Sequence, residues 1–476
     1  MRCCIESIIG WFRHLPGNVL QQVLLIAILL LFATACQKSS SPLALDLPIY
    51  FTCDTHGRLE PCGCFTGQFG GLTRLKTVLD AEASVDALRL DVGDAAAGRE
   101  DYDLIEYRYM LQAFAAMHYD ALNVGGREAQ FTAAQLRGMK SNSPVPIISA
   151  NLLDKTSRQP IFDSWRIVQR GAFRVAMIGV LDPVAAENPG DGLAVGDMES
   201  AIERCLAQLQ GKADLIVLVA FADEAALTRL AQEFYECKVI LGGKVSQPAQ
   251  ELVRQNRSLI YFVTNESRAL GILRLRLARD MPLAVTGNEI RLLHDKIPQN
   301  ASFHQLMQRY REEIRHTRLA ADDPNGLSSD AVPGVRTLAS YVGSEQCLTC
   351  HSNAAKVWKD SQHAHAFATL MAPKADADPK CIGCHTIGFG RFSGYRREFG
   401  EARLANVGCE SCHGPGSLHV RQRQGDRTIN FTFRPLGAGD CAKCHFGEFS
   451  RPFDWDQFWP AIQHGKEPPS AVAVTR

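Results

Sequence analysis

The pattern Cys-x-x-Cys-His occurs four times in the last third of the 476-residue chain: Cys347-Cys350-His351, Cys381-Cys384-His385, Cys409-Cys412-His413 and Cys441-Cys444-His445. These motifs use every cysteine of that region. Two thiols three positions apart can each form a thioether to one porphyrin, and the adjacent histidine is then held beneath the iron. Zinc ribbons also use Cys-x-x-Cys pairs, but they give no reason for a histidine directly after each one. A disulfide framework predicts irregular spacings. The pattern therefore points to four haem c groups in residues 341–476. So short a segment per motif cannot build a core of side chains alone, and the porphyrins are expected to form most of it.

Histidine arithmetic extends this reading. The same region holds eight histidines, four of them proximal. The others, His363, His365, His419 and His464, are candidates for the opposite face of the irons. His365 sits two residues from His363, so the two are not expected to reach irons together, and His365 is the expected bystander. An iron without a distal histidine would be five-coordinate or take Met371, and an open iron permits small-molecule chemistry.

The first 36 residues read as an export signal. Arg2 and Arg13 precede the apolar run Val23–Phe32, and Ala33-Thr34-Ala35-Cys36 follows. The run is shorter than the ~20 residues of a membrane-spanning helix, which favours a cleaved signal over an uncleaved anchor. The segment resembles a lipoprotein box with Cys36 as the acylated residue, although Ala33 departs from the usual leucine. Gln37 resembles outer-membrane sorting. The expectation is a periplasmic protein of a Gram-negative bacterium, lipid-anchored to the membrane, with the outer membrane favoured.

Fifty-one basic residues balance 51 acidic ones, so no charge excess points to nucleic acid. From residue 47 to 300, strand-like runs (Leu47–Asp54, Ala87–Asp94, Asp120–Gly125, Val145–Asn151, Phe173–Leu181, Asp214–Phe221, Lys238–Gly243, Ser258–Thr264) alternate with amphipathic segments (Gly71–Glu82, Leu104–Met117, Glu199–Gln210, Glu224–Phe234). This alternation predicts a layered α/β fold. The expected organisation is a signal peptide over 1–35, a tether over 36–46, the α/β domain over 47–300, a polar helix and Pro/Gly/Ser linker over 301–340, and a mainly α or irregular tetrahaem domain over 341–476.

Two family resemblances sharpen these expectations. Tyr341-Val-Gly-Ser-Glu-Gln-Cys-Leu-Thr-Cys-His351, with Trp358 and Ser361-Gln-His363-Ala364, resembles the opening of the cytochrome c-554 family of multihaem cytochromes. Gly408-Cys-Glu-Ser-Cys-His-Gly-Pro-Gly-Ser-Leu-His419 fits the same family. The resemblance implies closely packed haems and electron transfer, and by position it marks His363 and His419 as distal ligands. His464 is added from its place near the end of the domain.

In the N-terminal half, Asp54-Thr55-His56 and Gly93-Asp94 follow predicted strands, where open α/β sheets bind ligands. With Gly70-Gly71-Leu72-Thr73-Arg74-Leu75 they resemble the calcineurin-like metallophosphoesterases, in particular the 5′-nucleotidase group. That group builds a two-metal site from further motifs that are altered here. Gly-Asn-His-Glu reads Gly125-Gly126-Arg127-Glu128, the lone histidine reads Phe221, and Gly-Gly-His-x-His reads Gly242-Gly243-Lys244-Val245-Ser246. Asp54, His56 and Asp94 remain, enough for one divalent metal ion or simply for capping strand ends. Two-metal phosphoester hydrolysis needs both ions and is not expected.

Cys53, Cys62 and Cys64 lie beside this remnant. They can form an ordinary structural disulfide, a strained redox-labile one, or a thiol site served by the haems. The sequence thus predicts electron transfer with redox proteins or small-molecule donors and acceptors as partners. A redox enzyme working at an open haem or at the Cys53/Cys62/Cys64 set, and a hydrolase with a fused cytochrome, are the alternatives.

Overall fold

The computed structural model describes residues 44–61, 69–82, 84–249, 251–263, 267–279, 281–323, 327, 338–446 and 453–465. The export signal, Cys36, Cys62, Cys64 and most of the linker lie outside the described residues. The α/β domain stacks two six-stranded sheets. In chain order its strands are β1 (Ala44–Thr52), β2 (Leu88–Asp91), β3 (Ala121–Asn123), β4 (Ile147–Ile148), β5 (Leu152–Asp154), β6 (Trp165–Arg170), β7 (Phe173–Leu181), β8 (Leu193–Val195), β9 (Leu215–Phe221), β10 (Val239–Gly243), β11 (Val253–Gln255), β12 (Ser258–Phe262), β13 (Ala269–Ala278) and β14 (Ala284–Leu292). One sheet has the order β14-β13-β1-β2-β3-β4, the other β11-β12-β10-β9-β7-β6, and β5 pairs with β8 alone.

Within the first sheet β1 to β4 are parallel, and within the second β7, β9, β10 and β12 are parallel. Parallel strands are covered on both faces, which is why β9 reads as the continuous apolar run Leu-Ile-Val-Leu-Val-Ala-Phe. β13 runs antiparallel to β1. Its Leu/Arg alternation matches a strand whose end leaves the core. Asn123 ties the sheets together: its Nδ2 donates to Val92 O at 2.9 Å and to Val180 O at 2.8 Å.

Helices α1 (Leu72–Ala81), α2 (Asp101–Ala116), α3 (Ala133–Asn142), α4 (Met198–Leu209), α5 (Glu224–Glu233) and α6 (Ala301–His316) belong to the same domain. Their starts carry side-chain caps where the sequence supplies them. Asp197 accepts from Ser200 N and Asp223 from Ala226 N, each at 2.8 Å, satisfying donors that a helix start leaves open. α6, expected as a polar connector, buries Phe303, Leu306, Met307, Tyr310 and Ile314 in the α/β core. Each such burial contributes about 1.5–3 kcal/mol, so α6 is part of the domain and the linker begins after it.

The C-terminal domain consists of short helices, among them Ser352–Lys359, Pro379–His385, Cys409–His413 and Ser417–Arg423. Among the described residues, its clustered buried apolar side chains form two small groups: Leu370, Ala375, Ile382, Ile387, Tyr395 and Leu404 in one, Ala339, Leu418 and Phe431 in the other. Arg397 links this domain to the end of α6. It pairs with Asp322 and donates to Ile314 O, Thr317 O and Ala377 O.

Candidate haem-ligand and metal sites

Helical turns present each Cys-x-x-Cys-His motif, so both thiols and the following imidazole share one side. Attachment sites I to IV are numbered here in chain order. The thiols of Cys347 and Cys409 lie beside each other, as do those of Cys384 and Cys444. Site I therefore abuts site III, and site II abuts site IV.

Three proximal histidines face another histidine. His351 and His419 have ring centroids 6.1 Å apart, His363 and His445 6.0 Å, and His413 and His464 6.0 Å, with ring planes inclined by 30°, 47° and 49°. Two metal–nitrogen bonds of about 2 Å each, plus about 1 Å from each nitrogen to its ring centre, span about 6 Å. These pairs have the spacing of imidazoles bound to opposite faces of one iron, and in this respect the residues fit haem c. Burial, followed by mutual repulsion, lowers the pKa of His363 and His413; burial, then Arg423, lowers that of His419. For all three the shift favours the neutral imidazole, the form that binds metal.

Site II differs. His385 Nδ1 lies 2.6 Å from Ala366 O, a contact that fixes the tautomer and leaves Nε2 for the iron. Among the described residues no histidine ring stacks across from His385. His365 is exposed and joins none of the three pairs, and Met371 is 54% exposed. Of the four candidate distal histidines, three face a proximal one, and His365, the expected bystander, is exposed.

Glu410, between the two cysteines of site III, went unnoticed in the sequence. It is buried and accepts from Val342 N at 3.0 Å, Gly343 N at 2.7 Å and Gly416 N at 2.7 Å. Trp358 Nε1 donates to Val407 O at 2.8 Å and helps place the segment that bears His363.

In the α/β domain, the C-terminal ends of both sheets surround an open pocket of about 1300 Å³. Asp54 and His56 follow β1, and Asp94 follows β2. Their ligand atoms all lie within 4.8 Å of one another. His56 Nε2 is 3.8 Å from Asp54 Oδ1 and 3.7 Å from Asp94 Oδ2. These gaps exceed hydrogen bonds and accommodate one ion with bonds of about 2 Å. All three residues adopt left-handed backbone, with φ of 52°, 47° and 58°. The two loops are cross-tied by Asp54 N to Gly93 O and His56 N to Asp94 O, both 3.0 Å. Glu128 supports them from below, accepting from Asp94 N, Gly125 N and Ala96 N. Burial raises its pKa to about 7.

The altered positions do not supply a second set of ligands. Arg127 lies 3.9 Å from Asp94 Oδ2 through Nε, and its backbone N–H donates to Asp94 Oδ1 at 2.8 Å. Phe221 is fully buried, and a methyl group on Gly93 would meet its ring at 3.1 Å. Lys244 and Ser246 line the pocket. Cys53 faces inward, its thiol 3.5 Å from Gly93 O. Burial, then the nearby Asp54, Asp91 and Asp94, raises its thiol pKa well above the ordinary value. Burial thus disfavours the thiolate of Cys53. Its expected companions Cys62 and Cys64 lie outside the described residues.

The family model for cytochrome c554 and c-prime matches residues 346–414. Cytochrome c-554 of Nitrosomonas europaea is 41% identical over 93 residues, covering 16% of this chain and 40% of that protein. The 5′-nucleotidase of Vibrio cholerae is 28% identical over 221 residues, covering 43% of this chain and 39% of that protein. The chain thus spans about two fifths of the length of each of these relatives. Among solved structures, the 5′-nucleotidase precursor from Thermus thermophilus superposes with a TM-score of 0.51 at 21% identity, over 57% of this chain and 59% of its own. NAD nucleotidase of Haemophilus influenzae gives 0.52 at 15%, over 67% and 69%; at such identities the likeness is one of fold. The protein therefore joins an α/β domain similar to 5′-nucleotidases to a C-terminal domain similar to cytochrome c-554.

Proposed function

We propose that this protein is an exported, lipid-anchored multihaem cytochrome that transfers electrons, with four haem c groups at the four motifs. Bound haem c supplies one-electron chemistry. The observation that carries the reading is the set of three imidazole pairs at 6.0–6.1 Å. At these three irons two strong axial nitrogens would leave no open position, which suits a carrier rather than a reaction centre. The side-by-side thiols of sites I and III, and of II and IV, keep neighbouring attachment points close, as a conducting chain requires. Redox proteins or small-molecule donors and acceptors are the partners, and the α/β domain docks one of them. Its pocket holds at most one divalent ion at Asp54, His56 and Asp94. It does not hydrolyse phosphoesters, because Arg127, Phe221 and Lys244 stand where further ligands belong.

The test is to express the full chain with haem-attachment machinery, count haems by alkaline pyridine spectra and titrate the protein with reductant. Four haems reduced reversibly, mostly low-spin, support the reading; fewer than three attached haems overturn it.

A second reading is favoured by one observation: no described histidine ring faces His385. Site II then offers a position for a small ligand, and the protein is a redox enzyme there. Turnover of a small oxidant or reductant, abolished by blocking one high-spin haem with carbon monoxide, distinguishes it from a carrier.

A further inference from the structure

Both loops that bear the Asp54, His56 and Asp94 cluster rest on carboxylates of α2, each through a glycine. A methyl group on Gly57 would lie 2.0 Å from Glu106 Oε2, and one on Gly98 would lie 2.5 Å from Asp103 Oδ2. A side chain at either glycine would collide with the carboxylate as it stands, so loop and carboxylate pack directly against each other. Asp103 and Glu106 are both buried.

The same two carboxylates hold one amine from the other domain. Lys380 Nζ lies 3.1 Å from Asp103 Oδ1 and is hydrogen-bonded to Glu106 Oε2. Lys380 belongs to the helix Pro379–His385 and directly precedes Cys381, the first thiol of site II. The start of that helix is fixed by Asp378, which accepts from Lys380 N at 3.0 Å and from Tyr310 Oη of α6 at 3.0 Å. A contiguous path therefore runs from the ligand-bearing loops, through two carboxylates and one ammonium, to the helix that carries site II. Its charges are shielded from water, where electrostatic interactions are strongest.

We propose that cation occupancy of the Asp54, His56 and Asp94 cluster is linked to reduction of the haem at Cys381, Cys384 and His385, with Asp103, Glu106 and Lys380 as the connecting residues. This rests on the ion site and the haem site proposed above. An ion that draws the two loops together shifts Gly57 and Gly98 against their carboxylates and changes how these hold Lys380. The added positive charge favours the reduced haem. Linkage is reciprocal, so reduction tightens cation binding by the same factor that the cation favours reduction. Among the described residues site II is also the site that no histidine ring faces, so the coupling reaches the haem most open to chemistry.

The test uses the full-length, haem-loaded protein and manganese(II) as the probe. Optical redox titrations follow the high-spin and low-spin bands with and without the ion, and metal content is measured on the same samples. The expected result is a positive shift of the high-spin midpoint alone. Lys380→Met is expected to keep its haems and its bound ion but lose the shift, whereas Lys380→Arg retains it. If Lys380→Met does not fold, Asp103→Asn replaces it, with the shift expected to shrink. Bound ion with no shift overturns the linkage, and an undiminished shift in the variants overturns the route. Absence of bound ion overturns the ion site itself, a failure the metal content separates from the other two.

Discussion

His363 and His445 come from opposite ends of the C-terminal domain, yet their imidazoles stand 6.0 Å apart. If one iron joins them, His363→Ala leaves that iron five-coordinate. The expected outcome is loss of one low-spin signal and gain of one high-spin signal in the ferric spectrum, with all four haems retained. His419→Ala and His464→Ala should behave alike at sites I and III. His365→Ala should leave the spectrum unchanged, because that side chain is exposed and pairs with none of the three.

Carbon monoxide titration of the reduced wild-type protein should saturate near one ligand per chain, at site II. Binding of none, or of two or more, contradicts the arrangement around His385. The contact of Ala366 O with His385 Nδ1 is tested by isotope-edited vibrational spectra of the proximal ligand.

Burial lifts Glu106 from its ordinary 4.5 to about 7, against the opposing pull of Lys380. A carboxyl raised on folding holds its proton more tightly in the native state. Its stabilisation is complete below the unfolded pKa and is lost as pH rises through the folded one. Unfolding free energy should therefore fall between about pH 5 and pH 7, by up to roughly 3 kcal/mol from this group. Denaturant titrations of the haem-loaded protein at both pH values check this. Glu106→Gln should reduce the slope, leaving the share of Glu128, which burial raises over the same range, and an unchanged slope in that variant refutes the assignment.

Arg397 and Asp322 form an ion pair whose side chains are 6% and 3% exposed. Removing one partner strands the other without water. Arg397→Ala should destabilise the protein by about 3–5 kcal/mol, read as a lowered thermal midpoint with haem content unchanged. Arg397→Lys should recover only part of the loss, since one ammonium cannot reach Asp322 and three carbonyls at once.

Elemental analysis of the full-length protein should find at most one divalent ion outside the haems, and Asp94→Asn should lose it. Two ions per chain would show that the pocket recruits ligands beyond Asp54, His56 and Asp94.

The sequence carried the α/β domain well where apolar runs are long. Phe173–Leu181 is predicted and found with the same bounds, and Leu215–Phe221 starts one residue later than expected. It was silent on β13 and β14, whose arginines and exposed positions mask strands that pair through their backbones. The strand read over Val145–Asn151 is only Ile147–Ile148, because the chain bends to begin β5 at Leu152. Asp54, His56 and Asp94 were legible from their places at strand ends. The partners of the histidines were legible as a set but not as pairs, since pairing depends on how distant turns meet. Lys380 with Asp103 and Glu106 left no local signal at all: each reads as an ordinary charged surface residue until two domains are brought together.

The three facing pairs, 351 with 419, 363 with 445 and 413 with 464, overlap along the chain, each opening before the previous one closes. On the proposed ligation, no portion of the domain can finish maturing early. A chain emerging from its N-terminal side acquires its first porphyrin long before the opposing imidazole arrives, and the third waits for His464 near the end. Assembly then behaves as a clasp that locks only on the last segment, so a shortened chain would yield exposed, ligand-hungry irons rather than a smaller working carrier.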